Sequence, residues 1–309
     1  MARGLPRDLL DRPAPEAARW IALDRLRDLA KARRALKRGA SAHAIHDFRV
    51  ALRRLKCVLL LYRVPLEDVA SPGVLRRIAR LSHAASASRD AEVSLALYAE
   101  LRTRAPHDAV PGPQRAAHGL RRDFQRCERR MTRVLDRHFD ALERRLRARL
   151  GSYTIRFVIG VPSTVPSMRT VASRSLTALV DDVGGHLARL RDPAHRQTSR
   201  DLHLARMVLK SLRYALEPLA NERVVPRRTA DALARAIVEL TALQDAIGDL
   251  RDAQLLRACL RDAPRSAAMR GILRNDESER DRSMRSALRA RSVDRALRAV
   301  RAAVVRLAR

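Results

Sequence analysis

One helical pattern occurs twice in this chain, and it limits the fold more than any other feature. His46-Asp47-Phe48-Arg49-Val50-Ala51-Leu52-Arg53-Arg54-Leu55-Lys56 returns as His203-Leu204-Ala205-Arg206-Met207-Val208-Leu209-Lys210-Ser211-Leu212-Arg213. Each copy is a histidine followed by cations at offsets 3, 7 and 10. At about 100° per residue these positions fall within an arc of roughly 80° and rise about 15 Å along a helix. His46, Arg49, Arg53 and Lys56 therefore form one row, and His203, Arg206, Lys210 and Arg213 a second. Apolar side chains stand at offsets 6, 9, 13 and 16: Leu52, Leu55, Leu59 and Tyr62, then Leu209, Leu212, Leu216 and Leu219. That stripe lies roughly 120° round the helix from the cations, so the helix can bury one face and keep its basic row out of the core. Two such helices would turn two cationic rows toward one site for a polyanion.

Composition supports this reading without choosing the ligand. The 309 residues allow one large or two ordinary domains. Apolar residues make up 46% and Gly and Pro total 25, a balance that predicts a folded, helical chain rather than a disordered or fibrous one. The net charge of +30 predicts polyanion binding in general: nucleic acid, an anionic membrane surface or polyphosphate. Only 4 of the 64 basic residues are lysine, which first reflects genome composition. Arginine nevertheless supplies a planar, permanently charged fork for phosphate oxygens. Cys57, Cys127 and Cys259 are odd in number, without close pairing and inside helical patterns. They predict reduced, buried thiols and a cytoplasmic protein. The N-terminus lacks an apolar segment followed by a cleavage site, and no 18-residue apolar run occurs, so neither secretion nor a membrane span is expected.

Along the chain, residues 1–14 read as a loose lead-in rich in Pro and charge. Apolar periodicity predicts helices over about 15–38, 41–63, 74–104 and 114–150, the second capped by Ser41 and ended by Pro65. The run 105–113 is a loop by its three prolines. The fourth helix carries Arg121, Arg122, Arg126, Arg129, Arg130 and Arg133 on its exposed face. Residues 151–167 change texture and read as the linker between halves, with a short extended segment around Tyr153–Val161. Helices then cover about 168–190, 199–217, 227–261 and 265–308, with Pro218 leaving Leu219 the least secure member of its stripe.

The halves match beyond the histidine pattern. Leu81-Ser-His-Ala-Ala-Ser-Ala-Ser-Arg89-Asp90-Ala91 aligns without gaps to Leu243-Gln-Asp-Ala-Ile-Gly-Asp-Leu-Arg251-Asp252-Ala253 at an offset of 162, against 157 for the histidine pattern. Met131 and Leu135 likewise match Met284 and Leu288. Two similar offsets in the same order indicate a tandem duplication of a unit of about four helices: residues 15–150 and 168–309. Pseudo-twofold pairing would put both basic rows round one cleft.

The rows could be a solvated surface, but solvated helices alternate charges in i,i+4 pairs. Here Asp47 is the one acidic residue between His46 and Lys56, and none lies between His203 and Arg213. A repeated arrangement of like charges that costs helix stability points to a ligand that neutralises it. The histidines could be core side chains, metal ligands or phosphate contacts. Metal sites want three or more His, Cys or carboxylate ligands and exclude cations, whereas every neighbour at offsets 3, 7 and 10 is cationic, so no metal is expected. His46-Asp47 resembles the dyad of metal-dependent HD phosphohydrolases, but Leu204 stands at the matching place in the second copy. No Walker-type loop, Ser/His/Asp set or acidic cluster for Mg²⁺ stands out, so neither catalysis nor a cofactor is expected. Among polyanions, nucleic acid fits less well. The chain has nine aromatic residues, with Phe48 alone inside a pattern and on its apolar side, and the rows hold no Asn or Gln to read bases.

These features resemble the CHAD family, the conserved histidine α-helical domain, over about residues 15–308. The likeness rests on His46 to Lys56, on His203 to Arg213 with Tyr214-Ala215-Leu216-Glu217, and on Arg89-Asp90-Ala91 and Arg251-Asp252-Ala253. It implies an all-α pair of four-helix bundles around a basic central cavity that binds inorganic polyphosphate, often at polyphosphate granules, where granule-associated proteins would be further partners. Some relatives are fused to a triphosphate-tunnel (CYTH) domain, whose E-x-E-x-K signature is absent here, so the chain looks like a stand-alone member. Carried over by position, His46, Arg49, Arg53, Lys56, His203, Arg206, Lys210 and Arg213 would contact phosphate. Arg54, Arg89, Arg126, Arg130 and Arg251 are further candidates, either touching the ligand or holding the first set in place. Two departures, Ser211 in place of Arg54 and Asp245 in place of His83, imply that the second half holds its ligand less tightly.

Overall fold

The structure is a computed structural model and describes residues 5–39, 41–104, 113–152, 165–192, 194–195, 198–260 and 267–308. Among them are nine helices: α1 Ala14–Arg38, α2 Ala42–Leu61, α3 Pro72–Thr103, α4 Pro113–Gly151, α5 Met168–Arg191, α6 Ser199–Leu216, α7 Arg227–Cys259, α8 Ala267–Arg289 and α9 Arg291–Ala308. The fold class is all-α, and no strand occurs among the described residues. The loop read at 105–113 and the extended segment at Tyr153–Val161 lie almost wholly outside the described residues.

Local chemistry sets the helix starts. The Ser41 hydroxyl accepts from the Ala44 N–H at 3.1 Å and caps α2, as its sequence position predicts. Thr198 and Asp201 close a capping box ahead of α6, with each backbone N–H held by the other residue's side chain. Leu216 ends α6 before Pro218, yet Leu219 folds back through a turn and is 1% exposed. All eight positions of the two apolar stripes are buried.

Packing carries the duplication into three dimensions. Helices α1 to α4 form one ring of contacts, and α5, α6, α7 and the α8–α9 pair form another. Between them α1 meets α5, α2 meets α6 and α3 meets α7, so these three helices each touch their own counterpart. One apolar core runs through both repeats, from Leu9 to Leu307. A smaller cluster at the far ends of α3 and α7 joins Leu97, Tyr98 and Leu101 to Leu256 and Leu260.

Three expectations need correction. The segment 265–308 is not one helix, because Ala290 separates α8 from α9. The lead-in is not loose over residues 5–13. Leu9 is 0% exposed, and the Met168 and Arg169 N–H groups donate to the Arg12 and Leu10 carbonyls at 2.9 and 2.8 Å, fastening it to the start of α5. Of the three free cysteines Cys57 is buried, but Cys127 is half-buried and Cys259 exposed.

Candidate polyanion-binding site

The two basic rows lie on α2 and α6, which cross where the repeats meet. Two cavities, of about 310 and 320 Å³, open beside the crossing. Arg49, Arg53 and Lys56 line the first, with Ser82, His83 and Ser86 of α3. Arg206, Lys210 and Arg213 line the second, with Thr241, Gln244 and Asp245 of α7. At an offset of 157 the α2 and α6 walls correspond residue by residue, and at an offset of 162 Ala79, Ser82 and His83 of α3 correspond to Thr241, Gln244 and Asp245 of α7. The histidines cross over. His203 and Met207 complete the first cavity, while His46 and Val50 complete the second. All eight residues of the two rows thus line one of two symmetry-related chambers, and Arg49 and Arg53 line both.

The CHAD domain family model matches residues 21–261, most of the sequence. The chain belongs to the CHAD domain family. That family is associated with inorganic polyphosphate. Two solved structures share the fold. The crystal structure of the CHAD domain from the plant Ricinus communis matches with a TM-score of 0.59 and 19% identity, over 99% of this chain and 95% of that one. PptA from Streptomyces chartreusis matches with a TM-score of 0.65 and 16% identity, over 93% of this chain and 100% of that one. No curated protein sequence matches.

Burial of the CHAD rows shapes their electrostatics. Lys210 is 4% exposed and has no carboxylate within ion-pair distance among the described residues. Burial first, then Arg53, Arg206, Arg49 and Arg213, push its ammonium down to about 6. Burial and then Arg53 likewise bring Arg49 down to about 10. Arg206 moves down mainly by burial, opposed by Asp252. His46 and His203 are lowered by burial, then by Arg49 and Arg251 respectively, so both rings favour the neutral form. The Nε–H donors of Arg49, Arg206 and Arg213 are buried without an acceptor. Three orphaned donors and an unpaired lysine in one small region are costly to fold, and oxyanions placed in the cavities would satisfy them.

Small residues make room for these guanidiniums. A Cβ on Gly248 would stand 2.8 Å from Arg206 Nη2 and 2.9 Å from Nε. Ser86 occupies the corresponding place in the first repeat and shares the first cavity with Arg49. Arg213 lies over the Tyr214 ring, 4.7 Å from its centroid, and donates to Thr241 Oγ1 at 3.3 Å.

The further candidates divide. Arg89 lines the second cavity and pairs with Glu92 at 3.0 Å. Arg251 lines neither cavity but depresses the nearby His203. Arg54 donates from Nε and Nη2 to Glu217 at 2.6 and 2.9 Å, a fork between the repeats, and lines neither cavity. Arg126 and Arg130 are exposed on α4 and line neither cavity. Both RDA carboxylates, Asp90 and Asp252, line the second cavity together with Asp245, while among the described residues no carboxylate lines the first. Burial raises the Asp252 carboxyl, opposed first by Arg206. Of the α3 and α7 wall residues, Arg89 is a sequence candidate and His83 and Asp245 stand out as a departure between the halves, whereas Ala79, Ser82, Ser86, Thr241 and Gln244 are not among the sequence candidates. Their signal was the i, i+3, i+4, i+7 spacing of Ala79, Ser82, His83 and Ser86, repeated at Thr241, Gln244, Asp245 and Gly248. Among the described residues no group of three or more His, Cys, Asp or Glu side chains is placed to hold a metal ion. No described helix is long and apolar enough to cross a membrane.

Proposed function

We propose that this chain binds inorganic polyphosphate without catalysis, with consecutive phosphates shared between the two chambers across the Arg49–Arg53 bridge. The observation that carries this reading is the set of buried, unpartnered donors on Arg49, Arg206 and Arg213 around chambers that also hold Lys210. A chain of phosphates presents an oxyanion at every unit and can satisfy several such donors at once. Nucleic acid fits less well. Among the described residues the one Tyr, Phe or Trp ring lining a chamber, Tyr214, lies near Arg54 and Arg213 and is 2% exposed, so it offers no open face for a base. The carboxylates confined to the second chamber repel phosphate, so the first chamber is the tighter half. In a cell this activity would place the protein at polyphosphate granules.

The test is competition at matched ionic strength between long-chain polyphosphate and duplex DNA, on the native chain and on a variant with Arg49, Arg53, Arg206 and Lys210 neutralised. Polyphosphate should bind more tightly, with a strong salt dependence that the variant loses. Equal or tighter DNA binding would support a nucleoid protein instead. Release of phosphate in the presence of a divalent metal would establish an enzyme.

A further inference from the structure

The cationic surface continues past the first chamber. His83 lines that chamber from α3 and is exposed. Arg80, one turn earlier on α3, is also exposed, and its Nη1 lies 3.4 Å from His138 Nε2 on α4. Arg137 and Arg77 are close enough to His138 to add, after burial and Arg80, to the depression of its basicity. Beyond them lies the outer face of α4. Arg122, Arg126, Arg130, Arg133, Arg137 and Arg144 fall within an arc of roughly 80° and extend over about 33 Å of helix. This face lies opposite the buried Met131, Leu135, Phe139, Leu142 and Leu146.

The acids of α4 do little to neutralise it. Asp136 and Asp140 reach Arg33 and Lys37 on α1, and Glu143 pairs with Arg147. Asp123 takes Arg126. Among the described residues no carboxylate lies within ion-pair distance of Arg130, Arg133 or Arg137. Like charges at i+3, i+4 and i+7 oppose helix formation, and among the described residues no ion pair offsets those of Arg130, Arg133 and Arg137. The arc carries no aromatic ring for a base and no large exposed apolar side chain for a membrane. Leu60, Val64, Val165, Leu204, Val238 and Val305, which are exposed, all lie elsewhere.

We propose that this ridge is an external track for a linear phosphate polymer, carrying the length of a long chain that leaves the first chamber past His83 and Arg80. The inference rests on the polyphosphate reading of the chambers and adds a prediction about length. The chambers hold a short segment, and the track engages what extends beyond it.

The test compares tripolyphosphate with long-chain polyphosphate on a triple variant, Arg80→Gln, Arg133→Gln and Arg137→Gln, titrated at several salt concentrations. Tripolyphosphate affinity should stay within about twofold, while long-chain affinity falls about tenfold or more and the salt slope drops by about two to three. The matching triple Arg→Lys variant should keep most of the long-chain affinity, and an unchanged melting temperature would exclude a folding defect. Native long-chain affinity and salt slope in the Gln variant would overturn the track. So would a loss confined to duplex DNA, which would make the ridge a nucleic-acid surface. A paired variant, Arg49→Gln with Arg206→Gln, separates the two readings. It should abolish tripolyphosphate binding, and if both ligands still bind it normally, the chamber reading fails rather than the track alone.

Discussion

Replacing Lys210 by methionine should stabilise the free protein by an amount that depends on pH. The side chain is 4% exposed, and burial together with Arg53, Arg206, Arg49 and Arg213 brings its basicity from 10.5 down to about 6. In the unfolded chain the lysine titrates near its ordinary value. Between those two values the unfolded chain carries a proton that the folded chain lacks. The stability lost to Lys210 is therefore greatest below the folded value, shrinks as pH rises, and vanishes above the unfolded value. Each pH unit inside that window is worth about 1.4 kcal/mol, so moving from about pH 8.5 to about pH 6.5 costs the native protein about 3 kcal/mol through this residue. Methionine fills much of the same volume and has no proton to bind. Urea unfolding of both proteins at both pH values isolates the effect, because titrating groups that do not sense Lys210 cancel in the difference of differences. The native protein should lose about 3 kcal/mol more than Lys210→Met on acidification, and the variant should be the more stable of the two near neutrality. Equal losses, or a less stable variant, would refute a buried and uncompensated amine. The same substitution should weaken polyphosphate binding, making Lys210 a charge kept for its ligand at the expense of stability.

Binding should take up protons. A polyanion raises the proton affinity of Lys210, His46 and His203, all lowered in the free protein, so affinity should strengthen as pH falls from about 8 to about 6. Calorimetry in buffers of different ionisation enthalpy checks the sign, and net proton release would contradict it. Gly248→Ala should gain up to about 1 kcal/mol of helix propensity yet lower polyphosphate affinity about tenfold, because the new Cβ displaces the Arg206 guanidinium. Unchanged affinity would mean that Arg206 has room to move without loss of function. Arg54→Ala should cost about 1 kcal/mol in thermal or urea unfolding by breaking the partly exposed fork to Glu217, with polyphosphate affinity unchanged. A large loss of affinity would place Arg54 in the site.

Much of the fold was legible because helix periodicity and apolar phase are local properties. The stripes from Leu52 to Tyr62 and from Leu209 to Leu219 are buried throughout, and the internal repeat appears as helices packed on their own counterparts. The break at Ala290 was missed because neither glycine nor proline marks it. Its trace was a phase shift. Met284 and Leu288 of α8 face one way, while Val293, Leu297, Val300 and Val304 of α9 sit roughly 170° further round, so a continuous helix would have turned one set into water. The lead-in was misjudged because Leu9 and Leu10 are too few to show a period, and what holds them is the start of α5, far away in sequence. Both rows were visible as spacing on a single helix. The exchange of His46 and His203 between chambers was not, because it depends on how α2 crosses α6. Nor was the gathering of Asp90, Asp245 and Asp252 into one chamber, which follows from the packing of α3 on α7.

The central claim, that the paired rows enclose phosphate, is tested most directly by a crystal structure of the full chain with a short polyphosphate. The account predicts phosphate oxygens within hydrogen-bonding distance of the Nε atoms of Arg49, Arg206 and Arg213 and of Lys210 Nζ, with the chain passing between the chambers at Arg49 and Arg53. Polyphosphate bound on the outer surface alone, with both chambers open to water and the donors still unpaired, would contradict it.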